Sequence, residues 1–165
     1  MEERDRFDVL FHQHAPRLVR LAALLGADDP EDVAAEAFAR LYAARRRLRR
    51  DDAAVIGYLN RIVVNQVRDR HRRLSVARRD AHLLTPPAAS PDAIAGHADR
   101  QAVLEALSRL PSRQRETMVL RFWLDLPLGA IAELTGVSTG TVKSQLSRGM
   151  AALAASLDDS GEEQR

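Results

Sequence analysis

Cysteine is absent from this chain of 165 residues. Its absence excludes a disulfide framework, a thiolate metal site and thiol-based redox sensing by the chain itself. Long apolar runs are also absent: the amino end is charged, and nothing approaches the roughly 20 residues that a membrane-spanning helix needs. We therefore expect a soluble, cytoplasmic protein with no membrane insertion. Aromatic residues are scarce as well, at 4% of the chain.

Charge is distributed unevenly, although the formal net charge is only +2. Residues 1–39 hold four arginines against nine acidic residues, whereas residues 40–79 hold thirteen arginines against three acidic residues. A chain polarised in this way is expected to present one face to a polyanion. An ordinary solvated face is the less favoured alternative, because so dense a run of arginines causes self-repulsion unless a polyanion is bound.

Apolar residues recur at steps of three and four throughout, and few β-branched or aromatic clusters alternate with period two. This pattern predicts an all-α fold. Residues 75–98 hold three of the seven prolines among small residues, which is typical of a flexible linker. We therefore predict two small helical domains, over 1–74 and 99–157, joined by this flexible Pro-rich linker. The acidic tail over 158–165 is predicted to be disordered.

Local signals place the helices of the first domain. Pro16 predicts a break between a helix over 7–11 and a second helix that stops at Gly26. Asp29 is placed to cap the next helix. A further helix is predicted over about 55–73, with its arginines outside and four apolar residues buried. Those four residues are Leu59, Ile62, Val63 and Val67.

The most informative stretch covers residues 128–153, which have the pattern of a helix-turn-helix. The first helix is predicted to end near Thr135 and to turn at Gly136, whose missing side chain suits a positive φ. Ser138 is placed to cap the second helix. Two such helices have the geometry that enters a DNA major groove. An ordinary helical hairpin with a solvated face has the same spacing and is the alternative.

The second helix of this pair is predicted to be amphipathic. Its buried stripe runs from Val142 through Leu146, then Gly149 or Met150, to Leu153. Its opposite face carries hydroxyl, amide and basic side chains, which can hydrogen-bond base edges or phosphates.

Three stretches, in this order across a Pro-rich segment, resemble the extracytoplasmic-function (ECF) group of bacterial RNA polymerase sigma factors, in the sigma-70 superfamily. They are DDPEDVAAEAFARLY, YLNRIVVNQVRDRHRR and LPSRQRETMVLRFWLDLPLGAIAELTGVSTGTVKSQLSRG. The resemblance covers nearly the whole chain apart from the linker. It implies a non-catalytic subunit that binds core RNA polymerase and directs promoter recognition and transcription initiation.

The resemblance also implies a division of labour. The first domain would dock on the β′ clamp coiled coil and open promoter DNA at the minus-10 element. The second would lie under the β-flap and read the minus-35 element. An anti-sigma factor is a possible further partner.

Site residues follow by position from the same resemblance. Polymerase binding falls on Asp32, Glu36, Phe38 and Arg40. Minus-10 recognition falls on Arg49, Arg50, Tyr58, Arg61, Asn65, Arg68, Arg72 and Arg73. Minus-35 recognition falls on Thr139, Thr141, Lys143, Ser144, Gln145, Ser147 and Arg148.

Some of these positions have alternatives or depart from the family's pattern. Asn65 and Asp69 could instead hydrogen-bond internally. Tyr58 stands where a tryptophan is frequent, and no other Phe, Trp or Tyr lies between Tyr42 and Phe122. Stacking surfaces for unpaired bases are therefore sparse. Gln145 stands where an arginine is frequent, which is expected to weaken phosphate attraction slightly or to alter sequence preference.

Two other function classes fit parts of the sequence. A metal enzyme could draw on a small set of histidines and acids: His12, His14, Asp28, Asp29 and Asp32. However, residues two apart on a helix face different ways, and no Gly-rich phosphate loop or activated nucleophile is evident. A dimeric regulator would share the helix-turn-helix, but the arginine-rich first domain predicts DNA contact by both halves. We therefore expect no catalysis, no metal and no cofactor.

Overall fold

The structure is a computed structural model that describes residues 2–46, 51–80 and 98–162. This described part of the chain contains seven α-helices and no strand, which confirms the predicted all-α fold. The helices fall into two compact units, one built from α1 to α3 and the other from α4 to α7. Their bounds are α1 Glu2–Leu24, α2 Pro30–Ala44, α3 Asp52–Asp80, α4 Ala98–Arg109, α5 Ser112–Phe122, α6 Leu128–Thr135 and α7 Thr139–Glu162.

The break predicted at Pro16 is wrong, because α1 runs continuously from Glu2 to Leu24 with Pro16 inside it. An interior proline removes one hydrogen bond and crowds the preceding turn. Apolar residues on both sides of it nevertheless lie within the same unit. Phe11 lies against Phe38 with ring centroids 4.8 Å apart, and Leu21 is fully buried. Tertiary contacts on both sides of Pro16 therefore outweigh the local signal of the proline.

The start of α2 is as predicted. The backbone N–H of Asp32 donates to Oδ1 of Asp29 at 3.0 Å, and Pro30 occupies the first turn. Upstream, α1 ends at Leu24, and Gly26 has φ 86°. The buried face of α2 consists of Val33, Ala34, Ala37, Phe38 and Leu41.

The third helix buries the predicted residues Leu59, Ile62, Val63 and Val67, together with Val55 and Val64. It is longer than predicted, since it continues past Arg73 to Asp80. Residues 75–80, which were predicted as linker, are therefore helical. They include Ala77, Arg78 and Arg79, which are good helix formers, and no proline, and each residue added to an existing helix gains a hydrogen bond. The proline-containing part of the predicted linker lies outside the described residues.

The second unit has its own core. Its buried apolar residues include Ala106, Leu110, Met118, Val119, Leu120, Ile131 and Val142. Gly149 is buried, whereas Met150 is exposed, so the predicted stripe continues through Gly149. A Cβ on Gly149 would lie 3.0 Å from Cγ of Met118, which shows how closely α7 approaches α5 there.

The tail was predicted to be disordered from residue 158, but α7 continues to Glu162. Residues 163–165 lie outside the described part. The extension follows from cooperativity, because a helix already fixed by packing adds one hydrogen bond for each further residue.

Arg115 joins the first two helices of the second unit. Its Nε donates to the carbonyl of Leu107 at 2.8 Å, and Nη2 donates to the carbonyls of Ser108 and Leu110. These carbonyls lie at the end of α4, where a helix leaves its acceptors unsatisfied. Burial lowers the pKa of Arg115 from its ordinary value, although arginine remains charged in proteins. The guanidinium therefore caps α4 from α5.

Replacing Arg115 by methionine should lower the free energy of unfolding of the second unit by about 1–3 kcal/mol, because partly buried carbonyls lose a charged donor. Chemical denaturation followed by the fluorescence of Trp123, the single tryptophan, measures this change. The exposed Arg113 supplies the control, and Arg113→Met should change stability by less than about 0.5 kcal/mol. Equal stabilities for the two variants would contradict the capping role.

Candidate nucleic-acid interface

The turn between α6 and α7 has the geometry predicted for the helix-turn-helix. Gly136 ends α6 with φ 69°, and its N–H donates to the carbonyl of Ala132 at 2.9 Å. Oγ of Ser138 then accepts a hydrogen bond from the N–H of Thr141 at 3.1 Å. A glycine in the left-handed region and a serine cap allow one helix to follow another within a few residues. This turn fixes the direction in which α7 leaves α6.

One face of α7 is polar and exposed. Six predicted site residues lie there with exposed side chains: Thr139, Thr141, Lys143, Ser144, Ser147 and Arg148. Lys143 and Ser147, like Ser144 and Arg148, are four residues apart and therefore neighbours on the helix surface. The Thr141 hydroxyl also lies 2.9 Å from Oγ of Ser138, so it takes part in the cap. The cations and hydroxyls thus form one continuous surface.

Gln145 does not belong to that exposed face. It is half-buried, and its side-chain oxygen lies 2.7 Å from Oγ1 of Thr117, which is fully buried on α5. The Thr117 hydroxyl also donates to the carbonyl of Arg113 at 2.8 Å. Because a hydroxyl has one proton, both contacts are satisfied when the Gln145 amide is turned so that its NH₂ donates to Thr117.

Helical spacing could have indicated this position. Gln145 follows the buried Val142 by three residues and precedes the buried Gly149 by four. It therefore falls on the inward stripe of α7. The resemblance placed Gln145 among DNA-contacting residues, whereas the structure places it at the contact between α5 and α7.

The outer face of α3 carries most of the predicted minus-10 residues. Arg61, Asn65, Arg72 and Arg73 are exposed, while Tyr58 and Arg68 are half-buried. Steps of three and four residues connect Tyr58, Arg61, Asn65, Arg68 and Arg72, so they follow one side of the helix. The remaining two predicted residues, Arg49 and Arg50, lie outside the described part of the chain.

The alternative role considered for Asn65 and Asp69 was internal hydrogen bonding. Asn65 is exposed. Asp69 forms an ion pair with Arg72 on the same helix, with Oδ1 and Nη2 3.5 Å apart. Asp69 is therefore placed to orient a neighbouring arginine of this surface.

Three of the four predicted polymerase-binding residues meet in one ion cluster. Asp32 and Glu36 of α2 both approach Nη2 of Arg70 on α3, and Arg40 donates to the other oxygen of Glu36. Phe38 lies elsewhere. It is 2% exposed, and its ring lies edge-on to Phe7 with centroids 6.1 Å apart. As placed in the structure, Phe38 is a core residue and offers no surface to a partner.

The structure also adds residues that the sequence interpretation did not select. Arg70 was grouped with the outward arginines of α3, but the pairing of α2 with α3 turns it towards the two acids. Phe122 and Trp123 follow the apolar pattern of α5 yet are 63% and 40% exposed. An exposed aromatic pair at a helix end is a feature of interaction surfaces. Periodicity alone could not separate these two residues from the core.

No group of three or more histidine, aspartate or glutamate side chains that could hold a metal ion occurs among the residues described. None of the helices that the structure describes combines the length and apolar character that a membrane crossing requires. The two exposed basic helix faces are therefore the main candidate sites.

Sequence models of two protein regions match this chain. Sigma-70 region 2 matches residues 10–76, and sigma-70 region 4 matches residues 100–153. The first match contains α2 and most of α3, and the second contains the helix-turn-helix. Each basic face therefore lies in its own matched region.

Curated relatives cover most of the chain. The ECF RNA polymerase sigma factor SigM of Mycobacterium tuberculosis is 36% identical over 161 residues, which cover 92% of this chain and 77% of the relative. The RNA polymerase sigma-E factor of Streptomyces coelicolor is 32% identical over 155 residues, covering 93% and 86%.

Solved structures share the fold. The sigma factor RpoE, in complex with the anti-sigma factor NepR from Bartonella quintana, matches with a TM-score of 0.73 at 23% identity, covering 93% of this chain and 97% of that one. CnrH, in complex with the cytosolic domain of CnrY, matches with a TM-score of 0.58 at 25% identity, covering 94% and 90%.

The contact between Thr117 and Gln145 predicts a stability effect that depends on pairing. Thr117→Val should destabilise the second unit by about 1–3 kcal/mol, because it leaves the half-buried amide of Gln145 without its partner. Adding Gln145→Leu should recover most of this loss, since replacing both partners by apolar groups removes the unsatisfied amide. Denaturation followed by Trp123 fluorescence tests both variants. A double variant less stable than Thr117→Val alone would contradict the pairing.

Proposed function

The chain belongs to the extracytoplasmic-function group of RNA polymerase sigma factors, in the sigma-70 family, and on this basis we propose how its two units divide the work. As a member of this family it directs promoter-specific transcription initiation, with core RNA polymerase and promoter DNA as its partners. The observation that carries the division is that each matched region presents one long helix with a basic, exposed outer face.

The second unit reads the minus-35 element through α7. Lys143 and Arg148 supply charge, and Ser144 and Ser147 supply hydroxyls on the same exposed face. Basic side chains can reach phosphates or guanine edges, and hydroxyls can reach either bases or phosphates. Thr139 and Thr141, at the amino end of α7, are suited to phosphate contacts. Gln145 acts indirectly in this scheme, by holding α7 against α5.

The first unit recognises and opens the minus-10 element through the outer face of α3. Exposed arginines there can bind the backbones of both strands. Tyr58 is the one aromatic residue of this face, and its half-buried ring is suited to stacking on an unpaired base. Arg49 and Arg50 belong to the same proposed surface. Contacts to the separated strand would offset the cost of unpairing.

The proposed contacts with the β′ clamp coiled coil and the β-flap use surfaces other than the two DNA-binding faces. Asp32, Glu36 and Arg40 on α2 form the contact with the β′ clamp coiled coil, and Phe38 supports them from the core. The exposed pair Phe122 and Trp123 forms the apolar contact with the β-flap. Exposed aromatic residues are favoured at the centres of protein interfaces.

Regulation, location and chemistry complete the proposal. We propose that an anti-sigma factor controls the protein by covering these surfaces. The sigma factor RpoE, which shares the fold, was solved in complex with the anti-sigma factor NepR. We further propose that the protein is cytoplasmic. It performs no catalysis of its own, because its mechanism is differential binding of closed and open promoter DNA.

In vitro transcription with core RNA polymerase tests the function. The full chain, added to core polymerase on a genomic template library, should produce transcripts from a limited set of start sites. Core polymerase alone supplies the control. The absence of any specific start site would overturn the proposal. A palindromic footprint formed without polymerase would favour a dimeric regulator instead.

The division of labour predicts two separable defects in transcription initiation, measured on a promoter identified by this transcription assay. Arg72→Gln with Arg73→Gln should reduce strand opening, measured by permanganate reactivity of unpaired thymines, with core binding unchanged. Arg148→Ala should weaken holoenzyme binding to the closed promoter by about tenfold. Arg109→Ala, an exposed arginine on α4, serves as a charge control. If both sets of changes affected only core binding, the assignment of α3 to the minus-10 element and of α7 to the minus-35 element would be wrong.

A further inference from the structure

Arg70 differs in direction from the exposed arginines of α3, which are Arg61, Arg72 and Arg73. Its side chain is 31% exposed, whereas that of Arg72 is 77% exposed. It follows the buried residues Gln66 and Val67 by four and three positions, which places it at the edge of the stripe that packs inward. The guanidinium therefore reaches α2 rather than the outer face of α3.

The contacts of Arg70 form a cluster of two acids and two arginines. Nη2 of Arg70 pairs with Oδ2 of Asp32 and lies 3.7 Å from Oε2 of Glu36. Nη2 of Arg40 lies 2.5 Å from Oε1 of the same Glu36 carboxylate. Both oxygens of Glu36 thus face a guanidinium. Asp32 and Glu36 are one helical turn apart, so this cluster holds two neighbouring carboxylates in fixed directions.

We propose that Arg70 is a positioning residue that holds Asp32 and Glu36 in the geometry that docks on core polymerase. The inference rests on the proposed docking role of α2. Ion pairs between partly exposed side chains contribute little to folding stability. Fixing flexible side chains before binding does, however, reduce the entropy lost at an interface. The cluster therefore affects partner affinity more than it affects stability.

The ion pairs of Arg70 also connect the docking helix α2 to the DNA-facing helix α3. Arg70 lies on α3, whose outer face carries the proposed DNA-binding arginines, while the two acids lie on α2. The docking surface and the DNA-facing helix thus share one set of ion pairs. Docking through Asp32 and Glu36 would act directly on α3, without any intervening residue.

Titration of the fluorescently labelled full chain with core RNA polymerase tests the inference. Arg70→Gln should weaken binding by about tenfold, which corresponds to about 1.4 kcal/mol. Arg70→Lys should give an intermediate affinity, because lysine keeps the charge but loses the planar fork. Arg20→Gln on α1 removes an exposed arginine outside the cluster and should bind as the parent does. The unfolding temperature should change little in all three variants.

A double-mutant cycle separates positioning from simple loss of charge. Asp32→Asn should weaken core binding, and combining it with Arg70→Gln should cost less than the product of the two separate effects. The effect of Arg70→Gln should also shrink at high salt, where exposed ion pairs are screened.

Three results would overturn the inference, and one of them would overturn the proposed docking role of α2 as well. If Asp32→Asn and Glu36→Gln weaken core binding but Arg70→Gln leaves it unchanged or strengthens it, the docking role of α2 stands and Arg70 does not position it. If neither acid variant affects core binding, the docking assignment fails together with the inference. Strictly multiplicative effects in the double variant would also exclude coupling between Arg70 and Asp32.

Discussion

The burial of one apolar stripe along α3 fixes the first unit. Val55, Leu59, Val63 and Val67 are buried, and helical geometry then places Arg61, Asn65 and Arg72 on the opposite, exposed side of the helix. The exposed arginines owe their common direction to this packing. The same constraint operates in the second unit, where Val142 and the close approach of Gly149 to α5 turn the basic face of α7 outward.

Polar residues at the edges of these apolar stripes fix how each helix is oriented against its neighbour. Arg115 caps α4 from α5, Gln145 joins α7 to Thr117, and Arg70 links α3 to the acids of α2. Each is partly buried and bonds to another helix. Such contacts restrict how one helix can rotate on its neighbour, which apolar packing alone leaves less defined. The two basic faces are therefore held by specific pairs as well as by general burial.

The two proposed DNA-binding surfaces have an energetic consequence for promoter recognition. Each face by itself would bind DNA more weakly than the two together, with strong dependence on salt. When core polymerase holds both, binding at one element raises the effective concentration of the other. Discrimination between promoters then depends on the pair of elements and on how easily the minus-10 sequence unpairs. This fits a subunit that acts through differential binding.

Local interactions were determined by the sequence alone: the caps at Asp29 and Ser138 and the turn at Gly136 depend on residues within a few positions, and the structure has them as predicted. The all-α fold and the buried stripes followed from the periodicity of apolar residues, which is also a local property of the sequence. Tertiary structure decided the rest. Packing carried α1 through Pro16, buried Phe38, and directed Arg70 and Gln145 towards other helices. These outcomes depend on partners that are distant in sequence, and no local pattern specifies which helix face will meet them.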